Sequence, residues 1–394
     1  MKICILSSFE DSLSKDTGYS VRIYNLAKNL SKLGNKVFLI IPGLNTAVQR
    51  VDGIVVYTIK GSLPKWLLRI LGRLLGITKV TASYFHDPAF IMKASKIARY
   101  CDVVQIEQQS TGVPFAIIAN KIWRKPVVAD CHDVWQALRV KHISALRKKL
   151  ETLNEKVFYK FVNIILTVSE EERELLRSCL LNAHIEVIPN GVDISEFNNK
   201  KAAASASEIR RRYGLDGYHV VTFVGNLEYL PNLEAVKLIA FKIAPLVKKE
   251  MSKVKFLIVG RTGRIAEKVN AQDVIFTGTV DDVAEVLLVS DVAIAPLLKG
   301  SGTRLKILEY FSCALPVVST SVGVGGLKVE NNVHALITDD PEDFSSMIVR
   351  LLKNSEFALK LGQSARQFVS SNYEWAFISK KLNIIYEKLM EKEI

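Results

Sequence analysis

The chain has 394 residues, of which 49% are apolar and 24% charged, a balance typical of globular proteins that bury a large core. This length is enough for two domains of ordinary size. The five cysteines are scattered and none stands in Cys-x-x-Cys spacing. That pattern argues against a disulfide framework or a zinc site and favours free thiols in a reducing compartment. No signal peptide and no run of about 18 uncharged apolar residues is evident, so we expect a cytoplasmic protein.

The formal net charge of +13 is unevenly distributed along the chain. Residues 1–190 contain 27 Lys and Arg against 16 Asp and Glu, whereas residues 191–394 contain 26 against 24. A basic first half predicts an anionic partner, which could be a nucleic acid, an anionic membrane surface or an anionic acceptor. An ordinary solubilising surface is the alternative explanation.

Apolar strand-like runs alternate with helical patterns along the first half, an order typical of α/β proteins with parallel sheets. The predicted strands are Lys2–Ser7, Lys36–Ile41, Ile54–Tyr57, Val103–Ile106, Val127–Asp130, Ile164–Val168 and Ile185–Ile188. The predicted helices include Tyr19–Leu33, Thr111–Trp123 and Ser169–Cys179. Gly34 follows the first helix, where a residue in the left-handed conformation commonly ends a helix.

Residues 198–208 form a polar, low-complexity stretch, NNKKAAASASE, which predicts an exposed linker. A second alternating series follows it and ends in a predicted helix, Trp375–Lys392. The predicted strands of this series are His219–Val224, Lys255–Val259, Val274–Phe276, Val292–Ala295 and Pro316–Ser319. We therefore expect two α/β domains that bind ligands beyond the carboxyl ends of their strands.

Residues 63–77, LPKWLLRILGRLLGI, have a basic amphipathic pattern. In a helix, Lys65, Arg69 and Arg73 would share one arc, and apolar residues such as Trp66 would fill most of the remainder. Such a helix suits contact with an anionic membrane surface. A helix that packs its apolar face on the first domain has the same pattern, and both interpretations stay open.

The segment Gly300–Thr320 has the pattern of a glycine-bracketed turn, a helix and then a strand after Pro316. A Gly-x-Gly turn exposes backbone N–H groups, and the start of a helix adds partial positive charge, so together they can hold an anion. Arg304 and Lys306 add two cations, although cations at this end are unfavourable to the helix dipole. A bound anion would explain them, and a plain connection with surface cations is the alternative.

Glu309 stands in the otherwise apolar run of this predicted helix. Burying a carboxylate without a partner is costly, so the sequence predicts a partner for it. The two hydroxyl groups of a ribose would serve, as would an internal Arg or Lys.

Taken in order, these segments resemble the retaining GT-B glycosyltransferases of glycosyltransferase family 4, also called group 1. Glu309 in GTRLKILEYFSCALPVVST resembles the second acid of that family's Glu-x7-Glu motif. His132 in DCHDVW follows a predicted strand, where the family has a His that contacts the transferred sugar. Gly18 in KDTGYSVR resembles the acceptor-side loop, and NGVD at 190–193 resembles the link between the domains. The resemblance covers essentially the whole chain.

The resemblance implies an α/β fold of two Rossmann-like domains that face each other across a cleft. Residues 1–190 would form the acceptor-side domain, with a C-terminal helix at 373–394 crossing back to it, and residues 191–372 would bind the nucleotide-sugar donor. The implied catalytic residues are His132, Glu309 and Arg304. The implied donor-binding residues are Gly18, Gly225, Asn226, Arg261, Ser301, Gly302, Thr303, Lys306 and Glu309. The donor would be a UDP- or GDP-sugar, with no cofactor required.

Two features depart from the family pattern. The first acid of Glu-x7-Glu would fall on Ser301. The Arg and Lys that ordinarily contact the donor phosphates are missing from 224–232, where the chain instead has Asn226, Pro231 and Asn232. We expect Arg304, assisted by Lys306 or Arg261, to neutralise the phosphates.

The expected reaction is sugar transfer with retention, to a glycan or lipid-linked acceptor, in cell-surface polysaccharide or glycolipid synthesis. Retaining glycoside hydrolases use two carboxylates about 5 Å apart, and no such pair is identifiable. A front-face route, in which the leaving phosphate takes the acceptor proton, is therefore favoured. No metal-ligand spacing is present, so we expect no metal requirement. A peripheral position on the inner face of the membrane would suit the basic segment.

Three other functions are alternatives to sugar transfer. A nucleotide-sugar epimerase or hydrolase on the same fold is the main alternative, because it would use the same donor site. A basic nucleic-acid-binding protein is less favoured, since no recognition helix, zinc finger or paired-aromatic strand motif is present. No G-x-G-x-x-G follows the first strand, which argues against an NAD-dependent oxidoreductase.

Overall fold

The structure is a computed structural model of the chain. It describes residues 1–10, 12–13, 17–64, 66–68, 70, 87–107, 112–132, 153, 155–180, 182–197, 200–263, 269, 273–300 and 302–391, without the side chains of 200–205. The chain divides into two compact units. The first unit comprises Met1–Asn190 together with Trp375–Ile394, and the second comprises Gly191–Glu374.

The first unit is built on a mostly parallel sheet. Its strands are β1 (Lys2–Leu6), β2 (Lys36–Pro42), β3 (Ala47–Val51), β4 (Ile54–Ile59), β5 (Val103–Glu107), β6 (Val127–Asp130), β7 (Ile164–Thr167) and β8 (Ile185–Val187). Their order in the sheet is β3-β4-β2-β1-β5-β6-β7-β8. Only β3, at the edge of this described sheet, is antiparallel to its neighbour. The β5–β6 register places Glu107 opposite Asp130 at the carboxyl ends of these strands.

Helices cover both faces of this sheet. They are α1 (Gly18–Lys32), α2 (Pro88–Ala98), α3 (Val113–Ile117), which continues as a π-helical turn (Ile118–Ile122), α4 (Glu170–Cys179) and α12 (Trp375–Glu391). Alternate residues of β1 enter two different cores: Ile3 and Ile5 pack with residues of α1 and α12, whereas Cys4 and Leu6 pack with residues of α2. Near-continuous apolar strands are the expected pattern for a sheet that is buried on both sides.

The second unit is built on a parallel sheet of its own. Its strands are β9 (His219–Val224), β10 (Val254–Val259), β11 (Val274–Gly278), β12 (Val292–Ala295), β13 (Val317–Ser319) and β14 (Leu336–Ile337). Their order is β11-β10-β9-β12-β13-β14. Strands are added outward in opposite directions from β9 and β12, so the topological switch point lies between these two strands. Ligands of open α/β sheets bind at such switch points.

The helices of the second unit connect these strands. They are α5 (Lys200–Arg212), α6 (Leu230–Leu238), α7 (Ala244–Glu250), α8 (Val283–Leu287), α9 (Leu305–Ser312), α10 (Pro341–Lys353) and α11 (Ser355–Asn372). The largest core of this unit contains Phe223 of β9, Phe256 of β10 and Phe344 of α10, all fully or almost fully buried. The parallel α/β architecture expected from the alternating pattern is therefore confirmed.

The predicted strands are all present within one or two residues of their expected bounds. The left-handed residue expected after the first helix is also present, since Gly34 has a φ of +86°. Two strands were not predicted. Strand β3 is exposed along almost its whole length, so it has no apolar pattern, and β14 has only two residues.

The prediction of an exposed linker at 198–208 is wrong, because Lys200–Arg212 forms α5. The alanines that made the stretch low in complexity are the strongest helix formers. Ile209 near the end of α5 enters a small core of the second unit and anchors the helix.

Among the described helices, none has both the length and the hydropathy needed to cross a membrane. Most of the predicted basic helix at 63–77 lies outside the described residues. Within its described part, Leu68 is buried, whereas Trp66 is 61% exposed and Ile70 is 45% exposed.

Candidate functional sites

In the second unit, the carboxyl ends of β9 and β10 approach each other through two glycines. The Gly225 N–H donates to the Val259 carbonyl at 2.8 Å. A Cβ on Gly225 would lie 2.8 Å from the side chain of Asn232. A Cβ on Gly260, whose φ is +126°, would lie 2.6 Å from the Gly225 carbonyl oxygen. Gly260 therefore requires glycine, whereas a larger residue at Gly225 would displace the Asn232 side chain, which this close approach places against the end of β9.

The turn between β12 and α9 contains the predicted glycine pair. Gly300 and Gly302 have φ values of +136° and +72°, which glycine adopts without strain. A Cβ on Gly300 would lie 2.6 Å from Nη2 of Arg304, so this guanidinium lies against its own turn. A Cβ on Gly326 would lie 3.1 Å from the Gly302 carbonyl oxygen, so the loop after β13 packs on the same turn. Ser301 lies outside the described residues.

Helix α9 begins after Arg304, which has extended backbone angles and precedes the helix. The preceding Thr303 is buried. Tyr310 fixes the helix to the two central strands: its hydroxyl accepts from the Val224 N–H at 2.7 Å and donates to the Ile294 carbonyl at 3.5 Å. Burial raises the pKa of Tyr310 above its usual range. The side chains on the exposed face of α9 are thereby held at the switch point of the sheet.

Lys306 is the cation of α9 that reaches the end of β9. Its Nζ donates to Oδ1 of Asn232 at 2.8 Å and lies 4.0 Å from the centre of the Phe223 ring. The Nδ2 of Asn232 donates in turn to the Asn226 carbonyl at 2.9 Å. Burial, assisted by the charge of Arg304, lowers the pKa of Lys306 to about 7. A bound anion would reverse this shift, because an opposite charge favours the protonated form.

Glu309 lies three residues after Lys306, hence on the same face of α9, and is half-buried. Burial raises the pKa of Glu309 to about 7, against the opposing charge of Lys306, and the charge of Glu196 raises it further. The carboxyl group therefore needs hydrogen-bond donors to remain ionised. The structure thus brings a cation and a hydrogen-bond acceptor together on one helix face.

Two further predicted donor-binding residues are Arg261, which is largely exposed, and Gly18, which begins a helix. The side chain of Arg261 is 60% exposed and its Nη1 lies 3.6 Å from Oε2 of Glu228, an exposed pair worth about 0–1 kcal/mol. Gly18, expected in a loop, is the first residue of α1 in the first unit. Thr17 and Ser20 form a capping box around it, which typically contributes about 1 kcal/mol to helix stability.

In the first unit, a buried ion pair lies beside the predicted catalytic histidine. Arg22 donates from Nε and Nη2 to the two oxygens of Asp130, each at 2.9 Å. The Nη1 of Arg22 also donates to the Pro189 carbonyl at 3.1 Å and to Oδ1 of Asn190 at 3.2 Å. The side chains of Arg22 and Asp130 are 1% and 0% exposed. This bidentate geometry compensates the cost of burying both charges.

His132 lies two residues after β6, and its side chain is 13% exposed. Its Nε2 is 2.5 Å from Oε2 of Glu107, the last residue of β5. Burial, together with the charge of Asp130, raises the pKa of Glu107 above its usual range, against the opposing effects of His132 and Gln105. The neighbouring Asp133 lies outside the described residues. A histidine oriented by a carboxylate is an arrangement that recurs in active sites.

The side chains of Glu107, Asp130 and His132 have potential ligand atoms within 4.8 Å of one another. Both oxygens of Asp130 already accept from Arg22, and a metal ion would have to displace that buried guanidinium. The donor set therefore fits a hydrogen-bonded cluster better than a metal centre.

Sequence reasoning identified His132 but missed Glu107 and Arg22. A single acid at the end of an apolar strand has no spacing signal. The signal available was that two consecutive predicted parallel strands end at or beside an acid, Glu107 and Asp130, which predicts a polar cluster at one sheet edge. Gly326 was also missed, although the run of glycines after a predicted strand could have indicated it.

Two α/β units, each with a parallel sheet and candidate functional residues beyond its strand ends, define the class of the GT-B fold. Family comparison agrees with this assignment. Residues 17–196 match the family described as "Glycosyltransferase Family 4", and residues 218–354 match "Glycosyl transferases group 1". The chain therefore belongs to the group 1, family 4 glycosyltransferases, a family of transferase enzymes.

Individual relatives are more distant. HepE from Anabaena, solved in complex with UDP, superposes with a TM-score of 0.72 and 17% identity over 98% of this chain and 100% of that chain. A 44.6 kDa protein in the cps region of Klebsiella pneumoniae is 28% identical over 39% of this chain and 42% of its own length. A GDP-mannose-dependent phosphatidylinositol monomannoside mannosyltransferase from Mycobacterium tuberculosis is 24% identical over 51% of this chain and 55% of its own length. The chain thus spans about half the length of these two curated relatives.

Proposed function

We propose that the chain transfers a hexose from a nucleoside-diphosphate-sugar, bound by the second unit, to a glycan or lipid-linked acceptor. The contact between Lys306 and Asn232 at the end of β9 supports this most directly. Its partner is a neutral amide, so the contact itself supplies no negative charge to the ammonium. A donor diphosphate at the switch point would supply that charge.

In this proposal Lys306 and Glu309, on one face of α9, contact different parts of the donor. Lys306 neutralises the diphosphate, with Arg304 and the more exposed Arg261 assisting. Glu309 accepts hydrogen bonds from the ribose hydroxyl groups. Backbone N–H groups of the turn that contains Gly302 add to the stabilisation of the leaving diphosphate, an electrostatic role.

We further propose that transfer proceeds with retention by a front-face route, in which the leaving phosphate takes the acceptor proton. His132 of the first unit lines the site of the transferred sugar in this proposal. No step in it requires a metal ion. The similarity to HepE, which was solved with UDP-glucose, and to a GDP-mannose-dependent relative supports testing both UDP- and GDP-sugars.

The acceptor is proposed to be presented at an anionic membrane surface in the cytoplasm, through residues 63–77. The exposure of Trp66 and Ile70 supports this, as does the basic charge of the first half. The test is co-sedimentation with phosphatidylglycerol-containing vesicles at low salt, compared with Trp66→Glu. Loss of sedimentation in the variant is expected, and equal failure of both proteins to sediment would contradict the proposal.

Donor binding is tested by thermal unfolding with UDP, GDP, ADP and their sugars. A nucleotide at 100 times its dissociation constant stabilises by about 2.7 kcal/mol, which shifts the unfolding midpoint by roughly 2–4 °C per kcal/mol. One nucleotide should stand out, and Lys306→Met and Glu309→Gln should each reduce its shift. Lys353→Met is the matched control, because its side chain is 56% exposed and lies on α10. No shift with any nucleotide would refute the donor site.

Product analysis separates transfer from the main alternative. With the stabilising donor, release of free or epimerised sugar in the absence of any acceptor would favour the hydrolase or epimerase. Transfer that depends on an added glycan or lipid-linked acceptor would support the proposal. Salt-dependent retention on DNA without any nucleotide effect would favour the nucleic-acid-binding alternative.

A further inference from the structure

A series of hydrogen bonds in the first unit runs from α12 to His132. The Tyr386 hydroxyl donates to Oε1 of Gln105. The Nε2 of Gln105 donates to Oε1 of Glu107 at 2.6 Å, and Oε2 of Glu107 faces Nε2 of His132. Tyr386, Gln105 and Glu107 are all 0% exposed. Buried groups of this kind are fixed by their partners, because an unpaired polar atom there costs about 1–3 kcal/mol.

The donor and the acceptor of each hydrogen bond in this series can be assigned in turn, starting from Tyr386. Tyr386 donates to the carbonyl end of the Gln105 amide, so the NH2 end of that amide faces Glu107. A carboxylate is an acceptor at both oxygens. One oxygen of Glu107 accepts a hydrogen bond from Gln105, and the other can accept a hydrogen bond from an N–H of the imidazole. The only ring atom of His132 in that position is Nε2.

We propose that Glu107 is a positioning residue that holds His132 in the tautomer protonated on Nε2. The second ring nitrogen, Nδ1, is buried and has no hydrogen-bond partner among the described residues. In this tautomer Nδ1 carries a lone pair and accepts a hydrogen bond from a hydroxyl group of the sugar substrate. This last role rests on the proposed transferase function, whereas the tautomer does not.

The tautomer decides which substrate group His132 can bind. A neutral imidazole has one donor and one acceptor nitrogen. The opposite tautomer would direct a lone pair at the Glu107 carboxylate and an N–H at the substrate. Because the carboxylate accepts a hydrogen bond from the N–H of Nε2, Nδ1 is left as the acceptor nitrogen. The tautomer of an active-site histidine is commonly set in this way by the partner of one ring nitrogen.

The tautomer is measured by NMR of the full chain labelled with 15N-histidine. The chain has six histidines, and comparison with His132→Gln assigns the signals of interest. We expect native His132 to show a protonated Nε2 and an unprotonated Nδ1. Glu107→Gln, which keeps the shape of the side chain, should move the proton to Nδ1, because its amide oxygen accepts from Gln105 and its NH2 group then faces Nε2 of His132. A native chain with the proton on Nδ1 would overturn the proposal.

Kinetics then separate positioning from general loss of structure. In Glu107→Gln we expect kcat to fall about 5-fold with the donor KM unchanged, since one lost hydrogen bond of about 1 kcal/mol acts on the reacting sugar. Tyr386→Phe, which removes only the far end of the series, should lower kcat about 3-fold. Tyr24→Phe is the matched control, because Tyr24 lies in the same core and its hydroxyl bonds to Asp52.

Three outcomes are decisive. A changed tautomer with the expected fall in kcat supports the proposal. A fall in kcat with an unchanged tautomer refutes it and assigns Glu107 a purely structural role. An Nε2-protonated native chain that transfers no sugar supports the tautomer assignment while refuting the transferase function, so the two failures are distinguishable.

Discussion

The Nζ atom of Lys306 lies 2.8 Å from Oδ1 of Asn232, across 74 positions of the chain. The contact joins the first turn of α9 to the first turn of α6, at the end of β9. In the family that the chain resembles, cations in the stretch after β9 contact the donor phosphates. Here Asn232 occupies that stretch and the cation comes from α9. We therefore propose Lys306, rather than Arg304, which lies against Gly300, as the main phosphate contact.

Nucleotide binding should be linked to proton uptake at Lys306. Its pKa of about 7 leaves it mostly neutral at pH 8, and a bound diphosphate should restore the proton. We expect an uptake of up to about 0.9 proton at pH 8, measured by calorimetry in buffers of different ionisation enthalpy. The Glu309→Gln background removes any opposing release from that carboxyl group. Lys306→Met should show no uptake, and tight binding by the native chain without uptake would contradict the prediction.

The stability of the second unit should depend on the ionisation of Glu309. Its folded pKa of about 7 exceeds the ordinary value of 4.5, so the folded state binds more protons than the unfolded state between these pH values. The free energy of unfolding therefore falls as the pH rises through this window. Relative to the native chain, Glu309→Gln should gain thermal stability steadily from pH 5 to pH 7.5.

The control for this measurement is Glu250→Gln, since the Glu250 side chain is 52% exposed and forms a surface pair with Lys353. Its midpoint should differ from the native midpoint by the same small amount at every pH. A constant difference for Glu309→Gln as well would show that its carboxyl group titrates normally.

Removing Arg22 should destabilise the first unit strongly. Arg22→Met leaves Asp130 buried and without its bidentate partner, and breaking a buried pair from one side costs about 3–5 kcal/mol. Denaturant unfolding monitored by circular dichroism measures the loss. Adding Asp130→Asn should recover part of it, because the uncompensated charge is removed. A double variant no more stable than Arg22→Met would mean that the bonds to Pro189 and Asn190 dominate.

Gly225→Ala should weaken nucleotide binding, although it removes no charged group that contacts the nucleotide. The added Cβ would lie 2.8 Å from the Asn232 side chain, which must shift and break its bond to Lys306. We expect an affinity loss of about 10-fold, the equivalent of one hydrogen bond of about 1.4 kcal/mol, measured by calorimetry.

Gly217→Ala is the comparison for this variant. Gly217 has a φ of +76° but open space around it, so alanine there costs roughly 1–2 kcal/mol of backbone strain and should leave nucleotide affinity unchanged. Equal affinity losses in the two glycine variants would indicate a general loss of stability instead.

Local patterns in the sequence determined the fold of this protein. Apolar strands such as Lys2–Leu6 and His219–Val224 are runs of adjacent residues, and their alternation with helices specifies parallel sheets, so these elements were predicted correctly. The helix at Lys200–Arg212 was not, because a polar composition was given more weight than the helix propensity of its alanines.

The tertiary structure alone decided which side chains became partners. Glu107 and His132 meet because β5 and β6 are neighbours in the sheet, and Tyr386 reaches Gln105 across 281 positions because α12 packs on the first sheet. Lys306 reaches Asn232 because β9 and β12 meet at the switch point. Spacing along the chain carries no information about such contacts, since they depend on strand order and on the packing of helices against the sheet.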